Sequence, residues 1–434
     1  MATTATATAN TTGFSDELVS KAQAARKASR PLSRASTEEK NRALERIAAL
    51  LEERSGEIVA ANERDYTAVQ ADGMSDVLLD RLLLNEERVR GMAADVRGTI
   101  ALPDPIGEEF DASTLPNGLR ICRRRVPLGV IAAVYESRPN VTIDIAALCI
   151  KSGNAVILRG GKEAINSTTT LAGIVREALE DAGLPRDAAQ IIESTDRAIV
   201  GQMLVYEGGI DLLIPRGSDT LIRFVRDNAR IPVVTGGIGV CHTYVDAGAD
   251  VEQAVAIAYN AKVQRPTVCN ALDTLLVHAQ TAPKLLPAVV AAWARDNVEV
   301  HADGRALALI GPEPPTRVIT AVEDDWGREF LSLTAAVKVV DSIDEALEHI
   351  AEYGSGHTEA ILTTSDENAT RFLDEVDAAA VIVNASSRFT DGAQLGLGAE
   401  VAISTNKLHA RGPMGLRELT SYKWTIVGDG QTRT

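Results

Sequence analysis

The sequence predicts an α/β protein built on two doubly wound parallel sheets. Three observations carry that expectation. From Leu128 to Val234, short β-rich apolar runs alternate with helical stretches. The same alternation resumes from Leu272 to Val383. At 434 residues, the chain also exceeds a single ordinary hydrophobic core. Sheets of this kind bind ligands beyond the carboxyl ends of their strands, so chemistry is expected along that edge.

Taken in order, the chain opens with MATTATATANTTGF, a low-complexity run over residues 1–14. It lacks the basic and apolar regions of a secretory signal and reads as a disordered tail. Ser36 and Glu39 have the spacing of a capping box, and Ala43, Leu44, Ile47, Leu50 and Leu51 then repeat at helical spacing. Asn85-Glu86-Glu87 opens a further helix toward Ile100, which Pro103 and Pro105 stop. Asn117-Gly118 centres a hairpin between Glu109 and Arg125. Its basic half, Arg120 to Arg125, is read as an exposed arm guarding an edge or meeting another subunit, with a phosphate site as the alternative.

The first α/β series then predicts strands at Val130–Val134, Ala155–Leu158, Gln190–Ile192, Ile210–Ile214 and Pro232–Val234. Helices fall between them, over Pro139–Ile150, Ala164–Ala182, from Asp196, and over Ser218–Asn228. The second series predicts strands at Leu272–Val277, Ala335–Val340, Glu359–Leu362 and Ala380–Val383, with helices at Ala282–Arg295, Ile343–Glu352 and Glu367–Val376. After Asn384 come the glycine-dense stretches GAQLGLGAE and LHARGPMGL, which mean tight turns or close backbone approach to a ligand, or else ordinary loops.

Composition sets limits. Hydrophobic residues make up 45% and charged ones 24%, which places the chain in the soluble globular class. A net charge of −16 argues against nucleic acid or an anionic membrane as main partner. The cysteines Cys122, Cys149, Cys241 and Cys269 are scattered, with no CxxC pair for zinc and no disulfide framework. A reducing, cytoplasmic setting is expected. No run is apolar and long enough to span a bilayer.

Cys269 is the chemical centre of the reading. Polar and turn-forming residues precede it, Gln264-Arg265-Pro266-Thr267, and a strand follows. A thiol on such a loop has a rigid base and can meet a substrate, and Arg265 favours the thiolate that attacks carbonyl carbon. The plainer alternative is an inert buried cysteine. The Rossmann fingerprint GxGxxG is missing, since Gly237 to His242 and Gly396 to Val401 both fail at the last position. No P-loop, HExxH or GxSxG motif is present either.

PLGVIAAVYESRPN, SGNAVILRGGKEA, NAKVQRPTVCN, NASSRFTDGAQLGLGAE, LHARGPMGL and Tyr422-Lys423-Trp424 follow one another in that order. Through these blocks the sequence resembles the γ-glutamyl phosphate reductases, also called glutamate-5-semialdehyde dehydrogenases, of the aldehyde dehydrogenase superfamily. The resemblance covers nearly everything after the N-terminal tail. It implies an aldehyde-dehydrogenase-like α/β fold with a β-hairpin oligomerisation arm, and a homo-oligomer, dimer or tetramer. It implies reduction of L-glutamyl 5-phosphate by NADPH to the semialdehyde and phosphate in proline synthesis, with glutamate 5-kinase as a candidate partner. The expected division is a tail over 1–14, an NADP-binding domain over 15–108 and 126–246, a catalytic domain over 247–384, and an arm and C-terminal segment over 109–125 and 385–434.

The resemblance also implies roles. Cys269 matches the nucleophile and Asn140 the oxyanion-hole amide, Asn140 having a helix cap after Pro139 as its alternative. Arg159-Gly160-Gly161-Lys162 falls where the superfamily contacts the adenosine ribose. Lys162, aligned with a glutamate of many NAD users, would with Arg159 attract the NADP 2′-phosphate, a solvated lysine being the alternative. Gly217-Ser218 resembles the turn that supports the pyrophosphate. Glu329-Phe330 resembles the pair that holds the nicotinamide ribose. Arg138, Arg265, His409 and Arg411 are candidates for the acyl phosphate, Arg265 and Arg411 first, with structural ion pairs as the alternative. Hydrolytic relatives carry a glutamate before paired glycines to activate water. Here Val233-Val234-Thr235-Gly236-Gly237 has none, which favours phosphate over water as the nucleophile. The rival readings are a hydrolytic or CoA-acylating dehydrogenase, and a non-catalytic cofactor-binding scaffold.

Overall fold

The computed structural model describes residues 13–71, 73, 76–234, 236 and 238–433. The chain forms two compact units. The first comprises Met1–Thr235, Leu397–Ala402 and Met414–Thr434, the second Gly236–Gly396 and Ile403–Pro413. The division thus falls ahead of the boundary expected at 246, because His242–Val245, assigned above to the cofactor domain, is an inner strand of the second sheet. The segment expected as one arm from 385 onward is shared between both units.

The first unit opens with helices Asp16–Leu32, Thr37–Glu53, Ser55–Ala71, Asp76–Leu82 and Glu86–Ala101. The predicted capping box is made: Ser36 Oγ accepts from the Glu39 N–H at 3.2 Å, and Glu39 Oε2 accepts from the Ser36 N–H at 2.7 Å. Most of the expected tail lies outside the described residues. Phe14, at its end, packs edge-on against Tyr206. The core is a four-stranded parallel sheet in the order Ala189–Ile191, Ala155–Arg159, Val130–Tyr135, Leu212–Arg216. The fifth strand expected at Pro232–Val234 is reduced to a single parallel bridge from Leu213 to Val233. The helices Val141–Lys151, Ile165–Asp181, Ala198–Val205 and Asp219–Asn228 come from the same unit.

The basic hairpin half is corrected. Arg120–Pro127 is the middle strand of a three-stranded sheet, between Glu109–Thr114 and Thr420–Val427, so its charges do not guard an open edge. The Arg123 guanidinium lies 4.8 Å from the ring centres of both Tyr422 and Trp424, and Arg125 Nε donates to Glu108 at 2.8 Å.

The second unit holds a seven-stranded, all-parallel sheet. Its order is Val318–Thr320, Glu299–Ala302, Thr334–Val340, Thr274–His278, His242–Val245, Thr358–Leu362, Ala380–Val383. Its main core packs Leu275, Val277, Leu285, Val289, Trp293 and Val337 between this sheet and helix Ala282–Trp293. Among the described residues, no helix is long and apolar enough to cross a membrane.

Candidate active site

In the first unit, the predicted residues gather after the carboxyl ends of adjacent strands. Val130–Tyr135 runs into Ser137 and Asn140, Ala155–Arg159 into Lys162, and Leu212–Arg216 into Gly217 and Ser218. Ser137 takes φ +45°, a left-handed conformation costly for a residue with a side chain. Its N–H and Oγ both donate to Glu163 Oε1, at 2.8 and 2.9 Å, which holds the turn that carries Asn140.

Asn140 stands at the start of helix Val141–Lys151 but makes no side-chain cap, so the capping alternative is set aside. Its Nδ2 donates instead to Asp144 Oδ2 at 2.9 Å, one helical turn on. Burial and the nearby Asp95 push the Asp144 carboxyl up to about 7, against the pull of Asn140 and Arg216.

Lys162 is exposed at its strand end, while Arg159 is buried. Arg159 Nη2 reaches the Thr195 carbonyl at 3.4 Å, and its Nε is buried without a hydrogen-bond partner among the described residues. Burial lowers this guanidinium from its ordinary value. Glu163, Arg197, Asp196 and Glu136 are the charges that act on it. Ser218 caps helix Asp219–Asn228, but its N–H already donates to Glu136 Oε2 at 2.7 Å. A diphosphate at this helix start has to displace that carboxylate. Arg138, also of this unit, is exposed.

In the second unit, Cys269 sits half-buried in a turn between helix Val251–Val263 and strand Thr274–His278. The segment from Gly239 to Cys241 holds it from behind. Cys241 Sγ donates to the Cys269 carbonyl oxygen at 3.1 Å. Gly239 presses so close that a Cβ there would overlap that carbonyl and come within 2.8 Å of Cys269 Cα. Burial pushes the Cys241 and Cys149 thiols far up, so both stay protonated. Cys122 is occupied at 2.8 Å from Thr425 Oγ1.

Glu329 and Phe330 are tied to the same segment. Glu329 Oε1 accepts from the Gly239 N–H at 3.0 Å. The Phe330 N–H donates to Asp273 Oδ1 at 3.0 Å, and the Asp273 N–H donates to the Cys241 carbonyl at 2.9 Å. Lys262, buried, faces Asp273 Oδ1 at 3.5 Å. Arg265 is exposed just ahead of the Cys269 turn. Arg411 is placed otherwise: its Nη2 pairs with Asp377 Oδ1 at 2.7 Å, and Asp377 also pairs with Lys407. His409, beside it in sequence, takes φ +70°. The stretch read above as lacking a hydrolytic base includes Thr235 and Gly237, which lie outside the described residues.

Several residues around the site escaped the sequence reading. Asp144, within the predicted helix Pro139–Ile150, and Glu136, Glu163 and Arg388, within the blocks that carry the resemblance, were assigned no role. Membership of a block marks Glu136, Glu163 and Arg388, but only spatial proximity shows what each one touches.

The sequence profile of the aldehyde dehydrogenase family matches residues 2–312. A γ-glutamyl phosphate reductase of Dehalococcoides mccartyi is 60% identical over 417 residues, covering 96% of this chain and 98% of that one. One from Escherichia coli is 50% identical over 406 residues, covering 94% and 97%. The crystal structure of γ-glutamyl phosphate reductase from Thermotoga maritima superposes with a TM-score of 0.93 at 46% identity, covering 96% of this chain and all of that one. An acetylating aldehyde dehydrogenase from Geobacillus thermoglucosidasius, at 19% identity and a TM-score of 0.69, shares the fold. The aldehyde dehydrogenase family works with a nicotinamide cofactor. The chain belongs to this family and, within it, to the γ-glutamyl phosphate reductases.

Proposed function

We propose that this protein reduces L-glutamyl 5-phosphate to L-glutamate 5-semialdehyde and phosphate with NADPH, in proline biosynthesis and in the cytoplasm. The observation that carries the reading is the half-buried Cys269 turn, braced by Gly239 and Cys241, in a chain 60% identical to a γ-glutamyl phosphate reductase.

The Cys269 thiolate attacks the acyl carbon, and the carbon–oxygen bond to phosphate breaks to leave a thioester. The Asn140 amide and the Cys269 N–H stabilise the tetrahedral oxyanion. NADPH, when bound, supplies the hydride. The thiohemiacetal then collapses, and the thiolate leaves to release the aldehyde. Lys162 and the orphaned Arg159 Nε suit a 2′-phosphate, which supports NADP(H) rather than NAD. Gly160, Gly161, Gly217 and Ser218 line the strand ends that face the cofactor, and Glu329 with Phe330 takes the nicotinamide ribose. Among the cations, Arg265 fits the phosphate best. Arg411 fits less well, because Asp377 already engages it; Arg138 and His409 are secondary candidates. The protein works as a homo-oligomer, dimer or tetramer, through the three-stranded arm, and a glutamate 5-kinase supplies its labile substrate.

The test runs the reaction backwards. Glutamate semialdehyde and NADP are supplied with and without inorganic phosphate, to the wild type and to Cys269→Ala. NADPH formation that requires phosphate and disappears in the variant is expected. Equal activity without phosphate points to a hydrolytic dehydrogenase instead.

A further inference from the structure

Resting on that function, the structure points to a residue that stands in the block NASSRFTDGAQLGLGAE without a role assigned there. Ser387–Phe389 forms a short 3-10 turn in the second unit, and it is stitched to the residue that follows the nucleophile. Ser387 Oγ donates to the Asn270 carbonyl at 2.7 Å, and Asn270 Nδ2 donates to the Thr390 carbonyl at 2.8 Å. Both Ser387 and Asn270 are buried, so these bonds fix the turn against the Cys269 peptide. The turn presents Arg388. Its Nε donates at 2.8 Å to Gln264 Oε1, the neutral amide beside Arg265. That contact orients the guanidinium without neutralising it.

We propose that Arg388, with Arg265, forms the anion pocket beside Cys269 that receives the phosphoryl group of the acyl phosphate. The half-buried Arg388 guanidinium and the exposed one of Arg265 repel each other, and an incoming dianion relieves that repulsion. Burial lowers Arg388 from its ordinary value. Asp391 and a Cys269 thiolate offset that lowering, while Arg265 adds to it. The two guanidinium groups outnumber Asp391, the one carboxylate among these groups, and the Cys269 thiolate, once formed, brings them to balance. The phosphoryl group is bonded directly to the reacting acyl carbon, whereas the substrate's α-carboxylate lies several carbons away. A cation fixed next to the nucleophile therefore meets the phosphate. The same pair of charges stabilises phosphate as it departs and binds it in the reverse reaction.

The experiment compares wild type, Arg388→Gln and Arg388→Lys as full chains. In the reverse assay, Arg388→Gln is expected to raise the KM for inorganic phosphate roughly tenfold or more, with Arg388→Lys between it and the wild type. The KM for semialdehyde should stay within about twofold, because it binds no phosphate. A second readout needs no turnover. Inorganic phosphate should protect Cys269 from iodoacetamide in the wild type, and Arg388→Gln should require roughly tenfold more. A thermal melt matching that of the wild type shows that the variant is folded, and protection is read relative to each protein's own alkylation rate without phosphate. An unchanged phosphate KM and protection curve overturns the proposal. So does an effect confined to the semialdehyde KM, which would assign Arg388 to the α-carboxylate. If the wild type shows no phosphate dependence at all, the functional reading itself fails, and that outcome is distinct from the failure of Arg388.

Discussion

The two sheets of this molecule solve the same packing problem with different materials. In the first unit, Val130–Tyr135 is apolar and buried throughout, and Ala155–Arg159 is apolar until its final arginine. In the second, neighbouring inner strands carry His242 and Glu359 at 0% and 1% exposure. Glu359 Oε2 accepts from both the His242 N–H and its Nδ1, each at 2.9 Å. Around them lie His349, its ring centre 5.4 Å from that of His242, together with Trp326, Tyr353 and Lys338. An apolar sheet spreads its stability over many small, interchangeable contacts. A polar one concentrates it in a few partners, each costly to orphan, and makes it answer to pH.

The largest expected effect tests that concentration. Glu359→Leu removes the acceptor of two buried donors and should cost about 3–5 kcal/mol. Ile157→Val, a deletion in the apolar sheet, should cost about 1 kcal/mol. Hydrogen exchange of the strand amides in each unit reads the two losses separately. Equal losses would mean that the polar strands are no more brittle than the apolar ones.

Acid should expose the same difference. Burial, aided by His242 and Lys338, lowers His349 to about 3, and its Nδ1 lies 3.1 Å from the Lys338 ammonium, placed to accept from it. The unfolded chain then binds a proton on this histidine between its ordinary value near 6.5 and about 3, while the folded chain does not. Stability is full above that window and falls as pH drops through it, by up to about 1.4 kcal/mol per pH unit. His357, lowered by burial to about 4, adds to the slope. In His349→Leu, denaturant melts from pH 6.5 to 4 should lose stability less steeply than in the wild type. Parallel slopes would remove His349 as the acid-sensitive group.

The contrast also explains which parts were legible in the sequence. The strands of the first sheet were found because runs such as Val130–Val134 state their burial in their residue types. Pro232–Val234 has the same composition but gains only one bridge, since strand formation needs a neighbour as well as a propensity. His242–Val245 and Glu299–Ala302 were missed because buried His242, Thr243 and His301 look like loop residues until their partners are in place. That omission moved the expected boundary to 246. At the site, Cys269 stood in a recognisable block and Glu329 in a resembling pair, and the structure ties both to the segment from Gly239 to Cys241. Arg411 stood in one too, yet its partner is Asp377, a residue distant in sequence. Arg388 shows the converse, since its role depends on bonds from Asn270 to a turn more than a hundred residues away.

The smallest effect gives the comparison its sharpest form, because its sign is reversed. The first unit also holds a titrating group, Asp144, but in a helix that follows the sheet rather than in a strand. Burial first, and then Asp95, raises its carboxyl to about 7, with Asn140 and Arg216 opposing. A raised folded value means that the folded state holds a proton the unfolded state has lost. Stability from this group is therefore complete below the ordinary value of 3.8 and is lost as pH rises toward 7. Asp144→Asn keeps a carbonyl that accepts the Asn140 N–H and removes the charge. It should stabilise the first unit at pH 8 by about 1 kcal/mol after solvent screening, and hardly at all at pH 4. Melts of wild type and variant at both pH values decide it. A gain that grows with pH places the alkaline sensitivity at the turn carrying Asn140, opposite in sign to the acid sensitivity of the second sheet. An equal gain at both would mean that the carboxylate is not held against its charge, and the two units would then differ only in their histidines.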